Sequence, residues 1–228
     1  MTDKLDIVFF DMDHTLIDND CDVSWKEFLV EKGLAPKDER DEAQKHWEAY
    51  CRGELDEDKF LAFQLRQFQG KSPEEMRDLT RLHFEERVRP NMYPQAMGAI
   101  QQARREGKRC VMLSATNRPI CEPVAEAFEL DGLICTDLEM EDGKFTGRIV
   151  EPYCCHEGKI FHSSRYCNKI GTTLDRVAYY GDSRNDIPLL KLVAVPVVVN
   201  PEGELLELAR KENWRIERWS VNGTESQG

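Results

Sequence analysis

The chain has 228 residues and a formal net charge of −12, from 31 Lys and Arg against 43 Asp and Glu. This length suits one large domain, or a core with a smaller insertion, and it excludes a disulfide-stapled miniprotein. The acidic balance repels phosphate backbones and anionic lipid surfaces, so we expect neither nucleic acid nor a membrane as a partner. The N-terminal residues lack the basic region of a signal peptide, and no apolar run is long enough to span a bilayer. We therefore expect a cytoplasmic protein.

Short apolar runs rich in β-branched and aromatic residues alternate with helical patterns along most of the chain. The runs that predict buried strands are residues 5–10, 109–113, 132–135, 177–180 and 195–199. A helix is predicted over 94–106, and residues 138–150 alternate around a central turn that is typical of a β-hairpin. Strands that alternate with helices indicate an α/β fold with a doubly wound parallel sheet.

Residues 18–90 interrupt this alternation because they carry helical patterns and no convincing strand. One helix start is clear at Ser72, which is followed by a proline and by a glutamate three residues later, the pattern of a capping box. We therefore predict a helical cap at residues 18–90. It is inserted into an α/β core that consists of residues 1–17 and 91–228.

Two acidic residues, Asp11 and Asp13, directly follow the first predicted strand. In open α/β sheets, ligands bind at the carboxyl ends of the strands. Two carboxylates this close do not both stay ionised comfortably without a cation, so a hard divalent metal is implied. The alternative is that one of these acids only caps a helix or closes an Asx-turn.

A second polar cluster, formed by Asp182, Asn185 and Asp186, follows the strand predicted at 177–180. Taken alone, it is typical of a solvated loop whose side chains cap the next helix. Because the carboxyl ends of parallel strands meet at one edge of the sheet, we expect it to lie beside the first acidic pair. The combination favours a shared metal site over two separate caps.

Two further segments supply groups that suit a phosphate. Ser114 and Ala115 follow the strand predicted at 109–113 and offer a hydroxyl and backbone amides, although a plain helix cap would look the same. Lys159 opens another predicted helix, where a lone lysine is usually a solvated surface charge. Neither segment is decisive alone.

Together these residues resemble the four motifs of the haloacid dehalogenase (HAD) superfamily, which occur here in the same order. The motifs are Asp-x-Asp-x-Thr, a Ser or Thr after a second strand, a Lys, and Gly-Asp-x-x-x-Asp. The helical insertion between the first and second motifs resembles subfamily IB, which contains phosphoserine phosphatases and histidinol-phosphatase-like hydrolases. Residues 114–117, 181–190 and 198–201 are most similar to the latter branch. The resemblance covers about residues 5–219.

The resemblance implies a Mg²⁺-dependent phosphatase with a Rossmann-like core, acting on a small phosphorylated metabolite of the phosphoserine or histidinol phosphate type. It implies that Asp11 is the nucleophile that forms an aspartyl-phosphate, and that Asp13 is the acid and then the base. Lys159 would hold the phosphoryl oxygens. The residues implied at the phosphate are Ser114, Ala115 and Asn185, and those implied at the metal are Asp11, Asp13 (through its backbone carbonyl), Asp182 and Asp186.

A charge count supports the metal independently of the resemblance. The four aspartates of the two acidic clusters can carry four negative charges, and a phosphomonoester adds nearly two more. Lys159 cannot offset that excess, whereas Mg²⁺ would contribute two positive charges and bridge carboxylate and phosphoryl oxygens.

The cap is expected to recognise the non-reacting end of the substrate. Asp20 matches the position of the acidic substrate contact of phosphoserine phosphatases. The arginine that those enzymes use later in the cap falls on Gln64, and Arg66 lies two residues further on. We therefore expect Asp20 and Arg66 to contact the substrate.

Two alternative functions keep the same first motif. A phosphotransferase would pass the phosphoryl group from Asp11 to a small alcohol such as homoserine. A receiver-like signalling domain phosphorylated on Asp11 is disfavoured by the acidic pair and by the size of the insertion. Neither the oligomeric state nor the pathway follows from the sequence.

The eight cysteines are expected to stay reduced, because a chain of this size without a signal peptide is not a disulfide scaffold. One cluster, Cys154, Cys155 and Cys167 with His156 and His162, has the ligand chemistry of a zinc site. Its spacing lacks the paired pattern of structural zinc sites, so zinc is the less favoured interpretation.

Overall fold

The structure, a computed structural model, describes residues 5–222. The strands are β1 (Ile7–Phe10), β2 (Arg109–Asn117), β3 (Gly132–Thr136), β4 (Leu138–Glu141), β5 (Lys144–Ile149), β6 (Val177–Gly181), β7 (Val195–Val199) and β8 (Arg215–Glu217). Six of them form a central parallel sheet with the order β3-β2-β1-β6-β7-β8, and β4 and β5 form a separate antiparallel hairpin. The strand order reverses beside β1, so the carboxyl ends of β1, β2 and β6 form the crevice where this class of sheet binds ligands.

The doubly wound α/β fold expected from the sequence is confirmed, and so are the five predicted strands and the hairpin. The hairpin turns at Asp142 and Gly143, whose φ angles of 49° and 75° are the positive values that a two-residue hairpin turn requires. Two features differ from expectation. Strand β8 was missed because its three residues contain only one apolar side chain, and β2 continues four residues beyond the predicted end at Leu113.

The helices are distributed between the insertion and the sheet. Their bounds are α1 (Cys21–Glu31), α2 (Glu39–Arg52), α3 (Glu57–Leu65), α4 (Pro73–His83), α5 (Pro94–Arg105), α6 (Arg118–Ala127), α7 (Glu157–Lys169), α8 (Ile187–Leu190) and α9 (Gly203–Lys211). The capping box predicted at Ser72 is present at the start of α4, with reciprocal hydrogen bonds to Glu75. After α4 the chain continues as a π-helical turn, Phe84–Val88, and a 3₁₀ turn, Arg89–Asn91.

The region between β1 and α5 consists of helices joined by loops and turns, with no strand among its described residues. We propose that residues 18–90 form a cap on a core made of residues 1–17 and 91–228, of which 1–4 and 223–228 lie outside the described residues. Within residues 5–222, no helix combines the length and the apolar character needed to cross a bilayer.

The sheet is buried on both faces, and alternate residues of β1 point to opposite sides. Ile7 and Phe9 belong to the apolar cluster on one face, and Val8 and Phe10 belong to the cluster on the other. The second cluster continues into the cap through the buried ring of Trp25 and its aromatic neighbours. This shared apolar face holds the cap helices above the carboxyl edge of β1.

Candidate active site

A cavity of about 740 Å³ lies between the cap and the carboxyl ends of β1, β2 and β6. The expected site residues that line it are Asp11, Asp13, Asp20, Ser114, Ala115, Lys159, Asp182 and Asn185. Asp186 is completely buried and lies directly behind this wall, where Lys159 contacts it. Residues as distant in the sequence as Asp11 and Asp186 therefore meet at one sheet edge, as the predicted parallel strands require.

Three carboxylates form a compact group that could hold a cation. Oxygens of Asp11, Asp182 and Asp186 lie within 4.8 Å of one another, the only such group of three or more potential ligands between residues 5 and 222. Burial raises the pKa of Asp11 to about 7, and burial together with Asp11 raises the pKa of Asp182 well above its ordinary value. Three hard oxygen ligands with this excess of negative charge fit Mg²⁺. The cysteines of the sequence-based zinc hypothesis take part in no such group.

Lys159 is the cation that the protein itself places at these acids. Its Nζ lies 3.0 Å from Asp11 Oδ1, 2.6 Å from Asp186 Oδ1 and 3.0 Å from the hydroxyl of Tyr179. Although burial disfavours the charged amine, the two carboxylates raise the pKa of Lys159 well above its usual range. The amine of Lys159 therefore stays charged beside Asp11, the expected nucleophile.

Asp186 holds the loop after β6 in shape. Its Oδ2 accepts the backbone N–H groups of Asp182 and Ser183, each at 3.1 Å, and its Oδ1 accepts Lys159 and the Tyr179 hydroxyl. Although burial opposes it, Lys159 lowers the pKa of Asp186 below its ordinary value. These contacts require a glycine at the end of β6, because a Cβ at Gly181 would lie 2.7 Å from the Asp186 carboxylate.

Lys159 also depends on a glycine. A Cβ at Gly158 would lie 1.7 Å from the main-chain oxygen of Tyr153. Only a residue without a side chain allows the loop over residues 151–156 to pack against the start of α7. This close approach sets the position from which Lys159 reaches into the site.

The carboxylate of Asp13 stands apart from the three-carboxylate group, and each of its oxygens has its own donor. Oδ1 accepts the backbone N–H of Cys21 at 2.8 Å, and Oδ2 accepts the hydroxyl of Thr116 at 2.7 Å. Burial raises the pKa of Asp13, with a contribution from Asp20. The Asp13 carboxylate is therefore separate from the three carboxylates that could hold a cation.

The structure places Arg66, the cap arginine expected to contact the substrate, away from the cavity. Its guanidinium pairs with Glu39 at 3.2 Å and with Glu42 at 3.0 Å on the outside of the cap, and it is absent from the residues that line the cavity. The physical reason is that Glu39 and Glu42, from α2, compete for it. Gln64 lines the cavity instead, and Asp20 lines it while its carboxylate caps α1 through Val23 N.

Sequence reasoning missed four polar side chains at the site. They are Thr15, which donates to Asp182 Oδ1 at 3.2 Å, and Asp22, Thr116 and Tyr179. Thr15 carried a signal, since it completes the first motif. Asp22 gave a weaker signal, as a second acid beside Asp20. Thr116 belongs to segment 114–117, whose hydroxyls and amides suit a phosphate, but its contact with Asp13 was not predicted. Tyr179 was predicted only as a strand residue.

The cap side of the cavity is rich in hydrogen-bond acceptors. Burial and the neighbouring Asp20 raise the pKa of Asp22, and within residues 5–222 no hydrogen bond reaches its carboxylate. Gln64 is only 5% exposed, and its amide nitrogen donates to the main-chain oxygen of Asp22 at 3.3 Å. No described donor contacts the Gln64 side-chain oxygen. The part of this wall formed by Asp20, Asp22 and Gln64 is therefore suited to a ligand group that donates hydrogen bonds and carries positive charge, while Arg184 lines the cavity near Gly53.

Comparisons with known proteins agree with this geometry. A profile of haloacid dehalogenase-like hydrolases matches residues 8–191. A Neisseria meningitidis protein named histidinol-phosphatase is 34% identical over 215 residues, which is 92% of this chain and 97% of the relative. The phosphoserine phosphatase SerB2 of Mycobacterium tuberculosis is 27% identical over 203 residues, and the chain spans 46% of that longer protein.

Solved structures show the same fold. A protein of unknown function from Bordetella pertussis Tohama I superimposes with a TM-score of 0.85 at 32% identity, over 93% of this chain and 98% of that one. A substrate-bound phosphoserine phosphatase superimposes with a TM-score of 0.66 at 20% identity, over 90% of each chain. At this lower identity the likeness concerns the fold alone.

Proposed function

This chain belongs to the haloacid dehalogenase-like hydrolase family and is a phosphatase of that family, and on this premise we propose that it hydrolyses a small phosphomonoester with Mg²⁺ as cofactor. The observation that carries the proposal is the contact of Lys159 with Asp11 at the floor of the cavity, at 3.0 Å. A lysine beside a buried carboxylate can hold a phosphoryl group at the oxygen that attacks it.

We assign the chemistry to two aspartates. An oxygen of Asp11 forms a bond to phosphorus while the ester bond breaks, and the leaving oxygen takes a proton from Asp13. In the second step Asp13 accepts a proton from water, the water oxygen attacks phosphorus, and the bond to Asp11 breaks to release phosphate. Ser114 and Lys159 hold the phosphoryl oxygens in both steps, with backbone amides at Ala115 and the side chain of Asn185 nearby.

The residues that would hold Mg²⁺ are Asp11 and Asp182, with the backbone carbonyl of Asp13 and with Asp186 behind them. When bound, the ion supplies the positive charge that lets a carboxylate approach a phosphate dianion. The oxygens of Asp186 already accept hydrogen bonds from Lys159 and from the loop after β6. We therefore assign Asp186 to orienting Lys159 and this loop.

The acceptor-rich cap wall selects the substrate's other end. A substrate ammonium group would be attracted by Asp20 and Asp22 and could donate to the Gln64 oxygen, whereas a substrate carboxylate there would be repelled. The arginine expected to bind a carboxylate, Arg66, is held by α2 outside the cavity. We therefore favour an amine-bearing phosphomonoester of the histidinol phosphate type over phosphoserine, which agrees with the name of the Neisseria relative, histidinol-phosphatase.

The test is a comparison of substrates with Mg²⁺ present. Histidinol phosphate and phosphoethanolamine carry an amine and no carboxylate (the amine-only esters), phosphoserine carries an amine and a carboxylate, and glycerol phosphate carries neither. We expect kcat/KM to be about 10-fold or more higher for the amine-only esters than for phosphoserine, because one buried charge contact is worth on the order of 1.4 kcal/mol or more. Preference for phosphoserine would contradict the proposal.

Variants test which residues determine the substrate preference. Asp22→Asn should reduce the preference for amine-only esters over glycerol phosphate, while Asp41→Asn, the same change on an exposed residue of α2 outside the cavity, should preserve it. Release of free phosphate, and not its transfer to an added alcohol such as homoserine, distinguishes hydrolysis from the phosphotransferase alternative. Full activity after removal of divalent ions with EDTA would contradict the metal assignment.

A further inference from the structure

Thr116 is a buried residue that none of the recognised motifs assigns a role, yet its hydroxyl donates to Asp13 Oδ2 at 2.7 Å. We propose that Thr116 is a positioning residue that holds the Asp13 carboxylate in the orientation needed for proton transfer. This inference rests on the proposed function, because it assumes that Asp13 exchanges protons with the leaving group and with water.

The surrounding contacts leave the Thr116 hydroxyl little freedom. Its backbone N–H donates to Ser114 Oγ at 3.1 Å, and its carbonyl accepts the thiol of Cys121 at 3.3 Å. The residue belongs to the part of β2 that extends beyond Leu113, where the pairing with β3 shifts register. Because a β-branched side chain is also stiff about χ1, a fixed backbone fixes the direction of the hydroxyl.

Asp13 needs this second contact. Its other oxygen, Oδ1, is held by the backbone N–H of Cys21, the first residue of α1. The Cys21 side chain also hydrogen-bonds to this carboxylate, but both Cys21 contacts come from the start of α1. The Thr116 hydroxyl comes from the sheet, so two separate elements hold the carboxylate and together fix its plane.

Thr116 also links Asp13, the proposed acid, to Ser114, the proposed phosphoryl contact. A chain of hydrogen bonds runs from Asp13 through the Thr116 hydroxyl and its backbone N–H to Ser114, the proposed phosphoryl contact. The acid is therefore held in a constant position relative to the phosphoryl group. Proton transfer needs heavy atoms within hydrogen-bond reach, and a displacement of about 1 Å can cost on the order of 100-fold in rate.

The experiment compares Thr116→Val, which keeps the shape and removes the hydroxyl, with Thr116→Ser, which keeps the hydroxyl. The substrates are an alkyl phosphate, whose leaving alkoxide has a pKa near about 15, and p-nitrophenyl phosphate, whose leaving group has a pKa near about 7 and scarcely needs an acid. For Thr116→Val we expect kcat/KM to fall roughly 10- to 100-fold on the alkyl ester and less than about 3-fold on the aryl ester. Thr116→Ser should stay within about 3-fold of wild type on both.

A matched control removes a similar bond elsewhere. The Thr172 hydroxyl donates to Asp6 Oδ2 at 2.6 Å, and neither residue lines the cavity. Thr172→Val should leave both kcat/KM values unchanged. If Thr116→Val does not fold, Thr116→Ala gives the same comparison.

A second readout follows the hydrolysis step. Because Asp13 also activates water, Thr116→Val should release a burst of about one p-nitrophenolate per site, followed by slower turnover, as aspartyl-phosphate accumulates. Equal losses on both esters, or a loss that serine does not rescue, would overturn the inference. Wild-type protein that releases no phosphate from any ester would instead refute the proposed function, so the two failures are distinguishable.

Discussion

The affinity of the metal-free protein for Mg²⁺ should depend steeply on pH below neutrality. Burial raises the pKa of Asp11 to about 7, Lys159 opposes this shift, and Asp186 and Asp13 add to it. A carboxylate must lose its proton before it binds a cation, so protons and Mg²⁺ compete for Asp11. Acidification from pH 8 to pH 6 is therefore the perturbation, and weaker binding is the expected result.

The size of the effect follows from the Asp11 pKa. For one competing proton, the apparent dissociation constant is multiplied by 1 + 10^(pKa − pH), which is roughly 1.1 at pH 8, 2 at pH 7 and 11 at pH 6 for a pKa of about 7. Asp182, whose pKa is also raised, makes the dependence steeper at low pH. We therefore expect at least about a 10-fold loss of Mg²⁺ affinity between pH 8 and pH 6.

Isothermal titration calorimetry at pH 8, 7 and 6 measures this dependence. Repeating each titration in buffers of different ionisation enthalpy counts the protons released, and at pH 6 about one proton should leave per Mg²⁺ bound. Asp13→Asn removes one of the neighbouring charges that raise the pKa of Asp11, so it should move the dependence to lower pH without abolishing it, because Asp13 is outside the group of three carboxylates. A change in affinity below about 2-fold, without proton release, would refute the assignment of Asp11 to the metal.

Three further predictions concern the residues that support the site. Tyr179→Phe removes the hydroxyl that donates to Asp186 Oδ1 at 2.5 Å, and we expect kcat to fall about 10-fold; an unchanged kcat in steady-state assays would show that the bond is dispensable. Gly158→Ala introduces a clash with a main-chain oxygen and should lower the free energy of unfolding in urea by about 3 kcal/mol or more, whereas Gly98→Ala, in open space within α5, should not lower it. Burial lowers the pKa of His83 to about 3, below its value of about 6.5 in the unfolded chain, so the unfolded state takes up the proton first as the pH falls. The free energy of unfolding should drop by about 2 kcal/mol between pH 7 and pH 5 from this residue, and His83→Gln should lose that part of the pH dependence.

The cap illustrates how far sequence patterns reach. The capping box at Ser72 and the helical character of residues 18–90 depend on neighbours within one or two turns, and both are present. The partner of Arg66 depends on how α2 and α3 pack, which no local pattern encodes. The sequence therefore placed Arg66 near the substrate, whereas packing placed it beside Glu42.

The sequence by itself determined the α/β fold and brought Asp11, Ser114 and Asp182 to one sheet edge. The physical reason is that apolar runs predict buried strands, and parallel strands direct their carboxyl ends to the same side. Only the tertiary structure decided the hydrogen-bond partners of Thr116 and Tyr179, because a hydroxyl acquires its partner from the position of other segments of the chain. The presence of strand β8 also follows only from the tertiary structure, because its three residues pair with β7 through backbone hydrogen bonds that do not depend on side-chain pattern.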